Sequence, residues 1–254
     1  MYTTIQALVL RVTAYNDTDA LLTVLSRDQG KMTLKARGLR RKNSPLIAPC
    51  QLLAYGEFTL FEYKGMYSIN EAHAIELFTP LRKDLQKLAL GTYFAQVAEL
   101  ICQEDLPNPE LLSLVLNSLH ALAKLDISEA QVKAVFELRA ACLAGYTPEL
   151  HHCSSCGNVL PELFDLSAGC AICNRCALMD DSGIRMPLSP GVLDAMRYIC
   201  GCNSKKLFAF CVGQETAESL SYITEGYLAA QLERGFSSLD FYKSLQNPLE
   251  HFKR

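Results

Sequence analysis

No apolar stretch of this chain approaches the ~20 residues needed to cross a bilayer. The opening segment MYTTIQALVL has no basic region ahead of a long apolar run, so neither a membrane span nor a signal peptide is expected. A G-x-x-x-x-G-K-[ST] loop is missing, which argues against ATP-driven motor work, and no G-x-G-x-x-G follows a strand, so no nucleotide cofactor is expected. The deaminase pattern H-x-E…P-C-x-x-C is also absent. His73, His120, His151, His152 and His251 are scattered among unlike contexts, and none belongs to a recognisable nucleophile arrangement. These absences predict a protein that is not an enzyme and has no membrane partner. There are no internal repeats and no low-complexity tracts. A net charge of −3 over 254 residues gives no global sign of nucleic-acid binding, so any such signal must be local.

Cysteine, by contrast, is plentiful. The eleven cysteines, without a secretion signal and partly in metal-ligand spacing, indicate a reducing cytoplasm rather than a disulfide framework. Two C-x-x-C pairs, Cys153/Cys156 and Cys173/Cys176, are separated by sixteen residues. A thiolate binds Zn²⁺ at about 2.3 Å, and a two-residue gap lets a tight turn aim both sulfurs at one point. The expected ligands are therefore Cys153, Cys156, Cys173 and Cys176 around one structural Zn²⁺, with Gly157 and Gly169 where such knuckles need positive φ. Cys170, His151 and His152 are competitors for a position. Buried apolar cysteines, or a redox pair at Cys173/Cys176, are the alternative readings, and the second lacks a βαβ context.

The first eighty residues read as strands. Ile5–Thr13 and Ala20–Ser26 are apolar runs, and Lys31–Arg37 alternates, with Met32, Leu34 and Ala36 on one face and Lys31, Thr33, Lys35 and Arg37 on the other. Asp28-Gln29-Gly30 is a turn, and Gln51–Tyr63 and Tyr67–Glu76 are extended runs joined at Lys64-Gly65-Met66. Five strands with a long connection before the fourth suit a small Greek-key barrel of the OB type, although periodicity alone does not separate it from an SH3-like barrel. From Arg27 to Lys42 stand Arg27, Lys31, Lys35, Arg37, Arg40, Arg41 and Lys42 against one acid, Asp28. Such a basic strand and loop can track a phosphate backbone, or be a solvated surface; Lys31, Lys35, Arg37, Arg40, Arg41 and Lys42 are the candidate DNA contacts. Tyr15, Tyr55, Phe58, Phe61, Tyr63 and Tyr67 are possible stacking residues, though most aromatics at strand spacing are core.

From Pro80 the period becomes helical. Leu81, Leu85 and Leu88 share one face and Leu90, Phe94, Val97 and Ile101 another, so this helix should be buried between neighbours. Pro107-Asn108-Pro109 opens a second helix. Ser128-x-x-Gln131 is a capping box for a third, which stops at Gly145. Ser189-Pro190 starts another, a long pattern runs through Leu220, Ile223, Tyr227 and Leu232, and Ser237–Leu245 is a last short one. The expectation is an α+β protein: a five-stranded OB-type barrel over 1–79, a helical domain over 80–148 and 187–254, and a four-cysteine zinc insertion over 149–186.

Three stretches carry a resemblance: ALVLRVTAYNDTDALLTVLSRDQGKMTLKARGLRRKNS, PLRKDLQKLALGTYFAQVAEL, and FELRAACLAGYTPELHHCSSCG followed by AICNRC. They resemble the RecO family of bacterial recombination mediators over nearly the whole chain. The resemblance implies an OB barrel, a helical domain and a zinc module. It also implies binding of single- and double-stranded DNA, annealing of complementary strands, and cooperation with RecR to load RecA onto strands covered by single-strand-binding protein, in the cytoplasm with the nucleoid. Members with the metal module usually have Gly-Gly before the second C-x-x-C, where this chain has Gly169-Cys170, which marks Cys170 as a spectator. The family's contact with the tail of single-strand-binding protein lies on the helical domain; an acidic tail ending in an aromatic needs an apolar groove with a cation, making Lys133 and Arg139 candidates. The rival readings are an RNA-binding or ribosome-associated OB protein and a zinc-dependent hydrolase or redox protein.

Overall fold

In the computed structural model, residues 2–179 and 183–246 are described, and His251 lies outside them. The chain divides into two compact units, 1–124 with 236–254, and 125–235.

The first unit opens with strands β1 (Tyr2–Ala14), β2 (Ala20–Ser26), β3 (Gly30–Ala36), β4 (Tyr55–Tyr63) and β5 (Met66–Glu76). They form a closed barrel in the order β1-β2-β3-β5-β4. All neighbours are antiparallel except β3 and β5, which close the barrel in parallel over two residue pairs, Leu34↔Tyr67 and Lys35↔Ser68. On β3 the expected alternation is observed: Met32, Leu34 and Ala36 are buried inside with Val9, Leu22, Val24, Phe58 and Leu60. The run in β1 is less regular because Leu8 and Leu10 are also buried, and helix α1 (Leu85–Ile101) packs against this strand. A strand covered on both faces loses its period-two signal. Residues 51–54, expected to begin β4, form a turn instead, with Leu53 at φ 63°.

Asp84 caps α1, its carboxylate accepting from the N–H groups of Gln86 and Lys87 at 3.0 and 3.1 Å. The helix is buried on most sides, as its two apolar faces require, but Leu85 is 56 % exposed and contributes nothing to that burial. Gly91 allows the close approach of Leu53 and Leu119, the latter on helix α2 (Pro109–Lys124). The terminal helix of the described chain, Ser237–Gln246, also lies in this unit against α1, with Tyr93 meeting Phe236 at 5.4 Å and Ser238 bonded to Gln96 at 2.7 Å.

In the second unit, α3 (Glu129–Leu143) packs between α5 (Pro190–Gly201) and α6 (Gln214–Leu232). Only half of the expected capping box forms. Ser128 Oγ accepts from the Gln131 N–H at 3.2 Å, while the Gln131 amide turns inward and bridges Phe210 O and Val212 N. Between α3 and α5 lies a small sheet in the order β7-β6-β8, made of β6 (Leu163–Asp165), β7 (Cys170–Ile172) and β8 (Arg185–Pro187), with the four-residue helix α4 (Asn174–Ala177). Three-residue strands carry too little periodicity to be read from sequence.

Candidate nucleic-acid interface and metal centre

The β1–β2 turn holds the start of the long β3–β4 loop. Asp19 accepts from the Gly38 N–H at 2.9 Å, lies 3.6 Å from the Lys35 ammonium, and its neighbour Thr18 accepts from the Arg40 N–H at 3.0 Å. The Gly38 N–H holds the Asp19 carboxyl below its ordinary value; burial opposes it, and the Asn16 and Thr18 side chains and the Lys35 charge add to the lowering. Gly38 takes φ +67°, where the chain leaves β3 for the loop. Asp19 and Asn16 thus position the loop, and nothing in their spacing announces it; an Asx turn is a local signal, and its partner is nineteen residues away.

The six cations expected to contact DNA fall into two groups. Arg37, Arg40, Arg41 and Lys42 are exposed in the loop, and among the described residues none makes an ion pair. Arg40 Nη1 donates to Asn16 O at 2.7 Å, which fixes its guanidinium at the loop's edge. Lys35 is committed elsewhere, to Asp19 and to the face of Tyr15 at 4.6 Å. Lys31 sits at the far end of β3, about 20 Å along the strand from Arg37 by strand rise, with its ammonium 3.4 Å from Glu99 O. The cationic surface is a loop cluster rather than a ridge along the strand. Of the candidate stacking residues, Phe58 is core, while Tyr15, Phe61 and Tyr63 are 54, 39 and 63 % exposed.

The two knuckles converge as their spacing predicts. The sulfurs of Cys153, Cys156, Cys173 and Cys176 all lie within 4.8 Å of one another. The first knuckle turns through Gly157 at φ +74°, its N–H bonded to Cys153 O at 2.9 Å; the second is the start of α4. Burial opposes ionisation of Cys153, but the N–H groups of Cys156, Cys173 and Ser155 outweigh it and bring the thiol down to about 6. Bonds to the sulfurs of Cys173 and Cys156 push Cys176 up to about 12. The four-sulfur donor set fits a soft, tetrahedral metal ion, and these residues can hold one. Cys170 is outside the cluster with its thiol 3.3 Å from Ser154 Oγ, and the backbone carbonyl of His151 accepts from Arg197. The strand register places this module: Glu149 and Ala171 bond to each other's segment, and Gly169 at φ +64° sits where a Cβ would lie 2.8 Å from the Tyr227 hydroxyl.

Lys133 is not the surface cation expected. It is 3 % exposed, with its ammonium 3.0 Å from Glu137, 2.8 Å from Glu225 and 3.1 Å from Ser221 Oγ. A docking cation needs an outward helix face, and α6 covers the one that carries Lys133. Arg139 is half-buried and donates to the Cys200 and Ile199 carbonyls at the end of α5, so its charge closes a helix terminus.

A five-stranded closed barrel with an exposed basic loop, followed by helices that carry a four-cysteine cluster able to hold a metal ion, defines a protein of the OB-barrel class. The family models described as recombination protein O N terminal and recombination protein O C terminal match residues 1–78 and 82–240. The DNA repair protein RecO of Acetivibrio thermocellus is 33 % identical over 246 residues, covering 96 % of this chain and 97 % of its own. That of Alkaliphilus metalliredigens is 28 % identical over 243 residues, covering 94 % and 98 %. The chain belongs to the RecO family, which places it in DNA repair and recombination. No helix among the described residues is long and apolar enough to cross a membrane.

Proposed function

We propose that this chain is a non-enzymatic DNA-binding mediator of recombinational repair whose β3–β4 loop holds the phosphate backbone. The observation that carries this is the loop itself, with four exposed cations and no carboxylate engaging them among the described residues. Neutralising phosphates releases condensed counterions, so affinity comes without sequence preference. Two complementary strands held on such a surface repel one another less and can pair. The reading extends to annealing of single strands, to acting on double-stranded DNA, and to cooperation with RecR and single-strand-binding protein in loading RecA, within the cytoplasm. The metal is read as one structural Zn²⁺, since four thiolates leave no open position for a reacting water.

The test is annealing of complementary oligonucleotides coated with single-strand-binding protein, followed with wild type and the Arg41→Glu/Lys42→Glu variant. The variant is expected to bind all sequences more weakly by at least tenfold and to reduce the slope of log affinity against log salt by about two. Unchanged salt dependence and unchanged annealing would overturn the reading.

A further inference from the structure

Beside the basic loop, the barrel carries a shallow groove of about 320 Å³, at the small end of the ~300–1,000 Å³ common for ligand sites. We propose that this groove receives one unstacked nucleobase of a single strand while the loop holds the flanking phosphates, a proposal that rests on the backbone-binding reading above.

The walls are apolar. Val12 and Ala14 come from the end of β1, and Leu39 and Ile47 from the β3–β4 loop. Val12 and Ile47 are 40 and 48 % exposed, so two β-branched side chains face water across a gap that nothing among the described residues fills. Two polar groups stand at its edge, and both are pre-set by backbone carbonyls. Arg40 is held by Asn16 O at 2.7 Å, and Gln51 Nε2 donates to Ala48 O at 2.9 Å, which turns the amide oxygen away as an acceptor.

The occupant follows from this combination. Arg37, Arg41 and Lys42 share the loop with Arg40, so the surroundings select a polyanion, although the β1–β2 turn carries one exposed acid, Asp17. A flat apolar slot inside a cationic surface suits a unit that alternates a charged linker with an aromatic plane. A guanidinium and aliphatic walls can both stack on a base, and donors and acceptors at the rim can meet its edge. In a duplex the bases are stacked and paired and cannot enter. The groove would therefore separate single strands from double strands, while the cations bind both.

The full chain is titrated with a single-stranded oligonucleotide, its abasic counterpart of equal length, and the duplex, across a salt series. Wild type should favour the intact strand over the abasic one by about tenfold, within the range that base stacking gives. Val12→Ser/Ile47→Ser should lose that preference while keeping duplex affinity and salt slope. Ala14→Phe, which fills the groove without removing apolar surface, should do the same. The Arg41→Glu/Lys42→Glu variant should weaken every ligand yet keep the intact-to-abasic ratio. Equal wild-type affinity for intact and abasic strands, or a preference surviving in both groove variants, overturns the proposal and leaves the backbone reading standing. Duplex binding untouched by Arg41→Glu/Lys42→Glu overturns the backbone reading instead. If there is no abasic discrimination and an acidic peptide ending in phenylalanine protects Ile47, the groove serves a protein and the proposal falls.

Discussion

Lys133, Glu137 and Glu225 form a charged group inside the second unit, with Glu137 wholly buried and Thr224 Oγ1 donating to it at 2.8 Å. Removing one member of such a set leaves the others desolvated without compensation, at a cost of about 3–5 kcal/mol. Lys133→Ala should lose stability on that scale in urea denaturation. Burial pulls the Lys133 ammonium down, but Glu137 and Glu225 outweigh it and hold its pKa above 10.5. A lysine raised in the folded state stabilises fully below its unfolded pKa and loses that contribution as pH rises through the folded value. The difference between wild type and Lys133→Met should therefore shrink above about pH 10.5, which a pH series of melting curves measures. The side chain's position was not legible in sequence because the helix it occupies is apolar on nearly every side: Val132, Val135, Phe136 and Leu138 are buried, and so are Gln131 and Glu137. A helix without a polar face gives no direction to its charges.

At the level of elements, the turn between β2 and β3 shows what a single glycine decides. Gly30 takes φ +68°, and a Cβ there would collide with the carbonyl oxygen of Leu106 in the α1–α2 connection. The same connection bonds β3 through Lys31 N and Gln103 O at 3.3 Å. Gly30→Ala must therefore strain the turn and displace backbone at once. A loss of at least about 2 kcal/mol is expected, read as a lower urea midpoint. The sequence marked Gly30 as a turn residue but carried no hint of Leu106, since a contact across seventy-six positions leaves no local pattern. The strands themselves were legible where one face meets the core, as on β3. They blurred where a helix covers the face turned away from the core, as at Leu8 and Leu10. The metal module was legible for another reason: ligand chemistry fixes residue type and spacing together, so Cys153, Cys156, Cys173 and Cys176 stood out without any periodicity.

For the molecule as a whole, the four-cysteine cluster and the basic loop belong to different units and should respond to different treatments. Chelation under reducing conditions is expected to remove one ion per chain, and hydrogen exchange should then lose protection over residues 150–176 while β1 and β2 keep theirs. Cys176→Ser should abolish stoichiometric metal binding, and Cys170→Ser should leave it intact. The overall composition concealed the candidate interface because a net charge of −3 averages over both units, whereas the proposed contacts lie within a few residues of one loop. The strand pattern suggested a row of cations from Lys31 to Lys42; burial against α1 and the Asp19 anchor removed Lys31 and Lys35 from it.

The cylinder is fastened at its last join by two residue pairs, Leu34↔Tyr67 and Lys35↔Ser68, whereas β1 and β4 are zipped from Tyr2 to Leu8. It is a curled ribbon pinned by one clasp, and the clasp falls on the strand that feeds the basic loop. If the loop takes a DNA strand as proposed, a pull on that strand would reach the least secured edge of the sheet before its core.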